Sequence, residues 1–82
     1  MSGFVIVALD KNNSSIYVSN TSPILWTDML DNAKVFFSYQ HAKNELEDNF
    51  ISLSVTVYYT DICCIFISEY VDGVEIARER YL

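Results

Sequence analysis

Residues 62–82 read ICCIFISEYVDGVEIARERYL, in which Asp72-Gly73 separates an apolar stretch from a charged one. Asp-Gly is a strong hairpin signal, because a type I′ turn requires positive φ at both of its central residues. The apolar stretch Ile62–Val71 is typical of a central strand, and residues 75–81 carry charge on both faces, as an edge strand does. The segment therefore predicts two antiparallel strands, the second of which closes a sheet.

Three further strands are indicated by the rest of the chain. Residues 4–9 are apolar on both faces, and the turn-forming residues 10–14 join them to a short strand at 16–18. Residues 20–25 contain the single proline and are predicted as a loop, because proline has no N–H to offer a ladder. Residues 51–59 alternate apolar and polar side chains, as a half-buried strand does. The sheet is therefore expected to have about five strands.

Two helices are predicted between these hairpins. Thr27 is a suitable N-cap for a short helix that ends near Ala33, and Ser38 is one for a longer helix that ends near Phe50. The longer helix carries an apolar stripe at helical spacing, made of Tyr39, Ala42, Leu46 and Phe50. The predicted class is α+β in the order ββ(α)αβββ, with a single antiparallel sheet and one main helix packed on one face. Residues 1–82 are predicted to form a single domain, because 82 residues are too few for two cores.

The turn at Asp72-Gly73 also predicts which side chains share a face. The pairs that it sets opposite each other are Tyr70 with Glu75, Phe66 with Glu79, and Cys64 with Tyr81. A three-residue loop near Thr60-Asp61 is favoured, because that segment has no glycine for a tighter turn. This loop would gather the aliphatic side chains of the hairpin in one core face: Ile65, Ile67, Val71, Val74 and Ile76. A two-residue loop would reverse the faces, and the exposed aliphatic patch would then require a dimer or another covering layer.

Acidic and aromatic side chains of the closing hairpin predict a docking surface for a basic protein. Tyrosine offers a large contact area, and carboxylates pair with arginine and lysine. The predicted partner-binding residues are Tyr70, Glu75, Glu79 and Tyr81 on one surface, with Asp28 and Asp31 as a second contact. The helix face of Asn44, Glu45 and Asp48 is the next candidate, and an ordinary solvated acidic surface is the alternative to all of them.

The charge balance excludes several classes of partner. Eleven acidic and five basic residues give a formal net charge of −6, which repels the phosphate backbone of nucleic acid and an anionic membrane surface. The longest apolar run, residues 4–9, is too short to span a bilayer. Adjacent Cys63 and Cys64 make no disulfide framework, so a reducing cytoplasm is the expected compartment.

Catalytic and metal-binding sequence patterns are missing. His41 is the single histidine of the chain and is placed on the polar face of the main helix. Cys63 and Cys64 would point to opposite sides of a strand, without a basic neighbour in sequence to activate a thiol. The protein is therefore predicted not to be an enzyme and to need no cofactor and no metal.

The first half of the chain resembles small proteins encoded by phages and prophages. The resemblance is carried by residues 15–19, 26–30, 33–36 and Ala42, which match a hairpin, a Trp-containing turn, an A-K-x-F step and a helix. Small size and high acidity are also similar to those of phage-encoded anti-CRISPR inhibitors. The resemblance implies an acidic DNA mimic that covers the nucleic-acid-binding surface of a Cas effector in the bacterial cytoplasm. The alternative is a non-catalytic module of mobile-element origin that binds a host factor or associates with itself as a homodimer.

Overall fold

An antiparallel sheet of five strands is the framework of the protein in a computed structural model that describes residues 1–49 and 62–82. The strands are β1 (Gly3–Asp10), β2 (Ser15–Thr21), β3 (Ile24–Thr27), β4 (Ile62–Val71) and β5 (Val74–Arg80). Between β3 and β4 lie a 3₁₀ turn at Leu30–Asn32 and the helix α1 (Tyr39–Asp48). The strand order across the sheet is β3-β2-β1-β4-β5, so β1 is central and β5 is at an edge among the described strands. The predicted α+β class, with one antiparallel sheet and one main helix, is confirmed.

The central strand β1 is buried on both faces, as its apolar sequence predicts. Side chains 5–8 are inaccessible to solvent. Ile6 and Ala8 belong to the larger core, under α1, which includes Val18, Phe36, Ala42, Leu46, Ile65 and Ile67. Val5 and Val7 belong to a smaller cluster on the opposite face, with Tyr70, Tyr17, Leu30 and Ala33. We call these two sides of the sheet the helix-side face and the far face.

The helix α1 begins where the sequence predicts. Ser38 Oγ accepts a hydrogen bond of 3.0 Å from the backbone N–H of His41, which is the geometry of an N-cap. Ala42 and Leu46 are fully buried and Tyr39 is partly buried against the same core, as the apolar stripe predicts. The helix ends at Asp48. Its predicted end near Phe50, the predicted strand at 51–59 and the loop near Thr60-Asp61 lie outside the described residues.

A short backbone bridge holds the segment before α1 against β1. Phe4 N donates to Phe36 O at 2.9 Å, and Phe36 N donates to Phe4 O at 2.8 Å. Gly3 permits this approach, because a Cβ there would lie 2.5 Å from Val35 Cγ1 and 2.9 Å from Phe36 O. The bridge places the Phe36 ring in the core, two residues before the N-cap of α1.

The region between β2 and α1 differs from its prediction. Residues 20–25 are not a loop, because β3 pairs with the end of β2 and makes a second hairpin. Pro23 lies in the turn of that hairpin, where its missing N–H removes no ladder bond. The predicted helix from Thr27 to Ala33 is a single 3₁₀ turn. Thr27 Oγ1 does accept a bond from Met29 N at 3.2 Å, but the N-cap of the 3₁₀ turn is Met29 itself.

The pairing of β4 with β5 agrees with the prediction next to the turn and differs from it farther along the two strands. Tyr70 lies opposite Glu75, as expected. The next pair is Glu69 with Ala77, so Ile76 is an extra residue, a β-bulge, on the edge strand. The bulge shifts every later pair by one residue. Phe66 therefore lies opposite Arg80 and not Glu79, and Ile67 is the residue opposite Glu79. Tyr81 N donates to Ile65 O rather than pairing with Cys64.

Candidate partner-binding surface

The four hairpin residues predicted to share one contact surface lie on opposite faces of the sheet. Tyr70 packs with Val5 and Val7 on the far face, and Glu75 is opposite it. Glu79 pairs with Ile67, a residue of the helix-side core, and Tyr81 packs partly buried against that same core. The bulge is the physical reason, because one extra residue moves the following side chains to the other face. The single four-residue surface is therefore wrong as a geometric prediction.

Tyr70 is a core residue of the far face and not an exposed anchor. Only 6% of it is accessible to solvent. Its Oη donates a hydrogen bond of 3.4 Å to Glu75 Oε2. Burial, together with the negative charge of Glu75, raises the pKa of Tyr70 to about 12. The phenol therefore stays protonated and serves as a hydrogen-bond donor within the protein.

Arg78 completes a polar cluster on the far face. Its Nη2 donates to the same Glu75 oxygen at 3.0 Å, and its guanidinium carbon lies 4.7 Å from the centroid of the Phe66 ring. Arg78 is opposite Ser68, whose Oγ is buried and has no hydrogen-bond partner within the described chain. Glu75 thus accepts bonds from Tyr70 and Arg78. Its carboxylate is already engaged inside the protein.

The second predicted contact, Asp28 and Asp31, is exposed and lies outside the β4–β5 hairpin. Asp28 directly follows β3, the strand at the opposite edge from β5. Four strand spacings of about 4.8 Å each separate these edges by roughly 19 Å. Met29, between the two aspartates in sequence, is also exposed. Asp28 and Asp31 therefore remain a predicted second contact, separate from the hairpin residues.

A cleft of about 250 Å³ opens between the first turn of α1 and the edge strand β5. Among the described elements, the helix packs chiefly on β1 and β4. The residues that line the cleft are Phe4, Tyr39, Ile67, Glu69, Ala77, Arg78 and Glu79. On the floor of the cleft, Glu69 lies between its cross-strand partners Phe4 and Ala77. The adjacent cross-strand pair on the same face is Ile67 with Glu79. Glu69 and Glu79 are therefore diagonal neighbours on one face.

The two carboxylates of the cleft have no cationic partner among residues 1–49 and 62–82. The ion pairs in these ranges join Glu75 to Arg78 at 3.0 Å and His41 to Glu45 at 3.9 Å. Arg78 also lines the cleft, but its guanidinium is bound to Glu75 and stacked on Phe66. The cleft therefore combines an apolar floor with two unpaired negative charges.

Of the residues that line the cleft, only Glu79 was predicted from the sequence as a partner-binding residue. Tyr39 was predicted only as a core residue of the helix stripe. A signal for Glu69 is present in the sequence, because it is a lone carboxylate within the apolar run of β4. No comparable local signal marks the bulge at Ile76, which brings Glu79 to the same face.

The end of the β4–β5 hairpin exposes aliphatic side chains. Val74 is 63% and Ile76 is 59% accessible to solvent, and Val71 is also exposed. The predicted core face is thus correct for Ile65 and Ile67 and wrong for these three residues. The turn extends beyond Gly3, the first residue of β1, so no described strand pairs with Val71 on that side of β4. Met1 O accepts a bond from Gly73 N at 2.7 Å, and Ser2 Oγ accepts one from Asp72 N at 3.0 Å.

Groups suited to catalysis are dispersed in the part of the chain that the structure describes. Cys63 is exposed and Cys64 is half-buried, and no disulfide joins them. His41 is on the exposed side of α1, where its ring stacks on Phe37 with centroids 6.3 Å apart. No group of three or more metal-ligating side chains occurs in the described ranges. None of the described helices has the length and apolar composition needed to cross a membrane.

No protein family, curated protein or solved structure matches this chain. The candidate surfaces are therefore characterised by their own geometry and charge.

Proposed function

We propose that this protein is a non-catalytic inhibitor that binds a basic protein in a fixed ratio and covers a surface which that protein uses for nucleic acid. The observation that carries the proposal is the hairpin end, where Val71, Val74 and Ile76 are exposed on a protein of net charge −6. Contiguous exposed aliphatic side chains with a charged rim are typical of protein-binding surfaces. We call these three residues the hairpin patch.

The exposed acidic residues of the hairpin favour a basic partner. Asp72 and Glu79 are exposed, and neither forms an ion pair within the described residues. A negative field accelerates encounter with a cationic cleft and repels nucleic acid itself. The protein would therefore compete with nucleic acid for a positive surface instead of binding the nucleic acid.

A CRISPR effector complex is the partner that we propose first. Such a complex holds its nucleic acid in a positively charged channel, which an acidic protein with an apolar contact patch can occupy. The resemblance of the first half of the chain to phage proteins supports the same class. Tight binding needs no chemistry at the site, so this function is compatible with dispersed thiol and imidazole groups.

A DNA-binding assay with purified effector complexes of several CRISPR types tests the proposal. Titration with the protein should abolish DNA binding by a susceptible effector, with an end point near the equimolar ratio. The inhibition should weaken as salt rises from about 0.05 M to about 0.3 M, because exposed charges are then screened. Unaffected DNA binding with every effector type would contradict the proposed partner class.

A matched pair of variants tests the role of the hairpin patch. Val74→Ser combined with Ile76→Ser should lose inhibition, because it removes the apolar contact and retains the charge. Leu25→Ser is the control, since Leu25 is 51% exposed on β3 at the opposite edge of the sheet. Equal inhibition by both variants would contradict the assignment of the patch.

Self-association is the second candidate function, and the same exposed aliphatic side chains favour it. Sedimentation equilibrium distinguishes the two. A dimer that dissociates in the Val74→Ser, Ile76→Ser variant, together with no effect on any effector, would favour a structural module. A monomer that inhibits an effector would exclude self-association as the function of the patch.

A further inference from the structure

We propose that the cleft between α1 and β5 receives an arginine side chain of the partner. This inference rests on the proposed function, because it names the chemistry by which a basic partner would be recognised. The cleft is distinct from the hairpin patch, because Val71, Val74 and Ile76 are not among the residues that line it. We infer the ligand of the cleft from its two carboxylates, its two aromatic rings and its restricted volume.

The first argument is the placement of the carboxylates. Glu69 is opposite Ala77 and Glu79 is opposite Ile67, so the two acids are diagonal neighbours on the helix-side face. Diagonal side chains of an antiparallel pair have Cβ atoms about 7–8 Å apart or slightly less. A guanidinium offers five N–H donors along a planar fork, and can donate to acceptors on both of its sides. Two unpaired carboxylates at this spacing therefore complement its charge and its donor geometry.

The second argument is the apolar part of the cleft. Phe4 and Tyr39 supply aromatic rings, and Ile67 and Ala77 supply aliphatic floor. An arginine side chain has a methylene stem that packs on aliphatic groups and a weakly hydrated head that stacks on aromatic faces. The compact, strongly hydrated ammonium of lysine gains less from such walls. The lining thus favours arginine over lysine.

The third argument is size. The cleft has about 250 Å³, which is less than the roughly 300–1,000 Å³ of sites for drug-sized ligands. This volume suits one long side chain rather than a helix or an extended peptide. The chain does not fill the site with its own arginine, because the Arg78 guanidinium is held by Glu75 and Phe66. The cleft is therefore available to an arginine from outside.

An NMR titration of the isolated protein with Nα-acetyl-arginine amide tests the inference without a macromolecular partner. Nα-acetyl-citrulline amide is the matched probe, because it has nearly the same shape and lacks the charge. We expect arginine amide to shift the backbone amides of Phe4, Ile67 and Ala77, and citrulline amide to leave them in place. Equal shifts with both probes would overturn the inference. Arginine-induced shifts of similar size at Asp28 and Asp31 would indicate general charge screening, and would overturn it as well.

Two variants of equal charge provide the second comparison. Glu69→Gln combined with Glu79→Gln should weaken arginine binding about tenfold or more, since charge-assisted hydrogen bonds are roughly twice as strong as neutral ones. Asp28→Asn combined with Asp31→Asn removes the same charge outside the cleft and should change the affinity by less than about twofold. A well-dispersed spectrum shows that each variant is folded. Unchanged affinity of the cleft variant would overturn the proposal.

Two further outcomes separate this inference from the proposed function. Lysine amide that binds as tightly as arginine amide would contradict the selection of a guanidinium. Inhibition of an effector that survives intact in the Glu69→Gln, Glu79→Gln variant would overturn the cleft assignment and leave the proposed function standing. Failure of every effector assay, with arginine still bound in the cleft, would overturn the proposed function and retain the site.

Discussion

Tyr70 Oη donates a 3.4 Å hydrogen bond to the Glu75 carboxylate across the β4–β5 ladder. Burial and this carboxylate raise the pKa of Tyr70 to about 12 in the folded protein, against about 10 for an exposed tyrosine. A raised folded-state pKa means that the folded protein holds its proton more tightly than the unfolded chain does. The associated stability is fully present below about pH 10 and is lost as the pH rises toward 12.

Urea denaturation between pH 9 and pH 12 measures this linkage. The free energy of unfolding should fall by about 2 kcal/mol over the range because of Tyr70, since each pKa unit corresponds to roughly 1.4 kcal/mol. Tyr70→Phe has no phenol to ionise, so its free energy of unfolding should fall less steeply with pH. Parallel curves for the two proteins would show that Tyr70 does not ionise in the unfolding reaction.

Reversal of the two hairpin glutamates should have different effects, because they lie on different faces. Glu75→Lys should lower the free energy of unfolding by about 1 kcal/mol, since it removes the partner of Arg78 and Tyr70. Glu79→Lys should leave stability nearly unchanged and slow association with a basic partner. Thermal melts and stopped-flow binding measure the two quantities. Equal losses of stability would mean that the hydrogen bonds of Tyr70 and Arg78 to Glu75 contribute nothing to the free energy of unfolding.

Truncation on the two sides of α1 should have unequal costs. Leu46→Ala should lower the free energy of unfolding by about 2–5 kcal/mol, because Leu46 is fully buried in the main core. Asp48→Ala, on the exposed side of the same helix, should cost about 0.5 kcal/mol or less. Chemical denaturation of both variants checks the helix orientation. Similar costs would contradict it.

Two serines should respond in opposite directions to replacement by alanine. Ser68→Ala should stabilise the protein by about 1 kcal/mol, because it removes a buried hydroxyl that lacks a partner within the described chain. Ser38→Ala should destabilise it by about 1 kcal/mol, because the N-cap bond to His41 is lost. The denaturant midpoints of the two variants, compared with that of the unchanged protein, measure both changes in stability. A destabilised Ser68→Ala protein would indicate that the hydroxyl is satisfied in solution.

The two glycines should also differ in their tolerance of a side chain. Gly3→Ala should be the more destabilising, because its Cβ would meet Val35 and the Phe36 carbonyl and would weaken the bridge to β1. Gly73→Ala places its Cβ in open space, so it should cost only the strain of a positive φ, about 1 kcal/mol. Circular dichroism melts compare them. Equal melting temperatures would mean that the 35–36 segment moves away at no cost.

Local patterns predicted the parts of the fold whose signals are local. The cap at Ser38 and the stripe through Ala42 and Leu46 give the position and orientation of α1. The Asp72-Gly73 turn gives the pairing of Tyr70 with Glu75, and both turn residues have positive φ. Each of these features depends on a few neighbouring residues, so periodicity and turn chemistry are sufficient to find it.

The candidate surface was predicted less well because it depends on long-range register. A single bulge at Ile76 changes the face of Glu79, and no residue type in 74–80 specifies where a bulge falls. Val71 and Val74 lie beyond the end of β1, and the sequence of the hairpin does not contain the position of that end. The role of Glu69 depends in addition on the position of α1 over the sheet.

The bulge at Ile76 also bears on aggregation. An edge strand with unpaired N–H and C=O groups is a template on which strands of other chains can add. Among the described strands β5 is such an edge, and its extra residue interrupts the regular spacing of those groups, so a straight strand could match them only on one side of the bulge. The protein can in this way display Val74 and Ile76 to a specific partner while its edge remains a poor seed for fibre-like stacking.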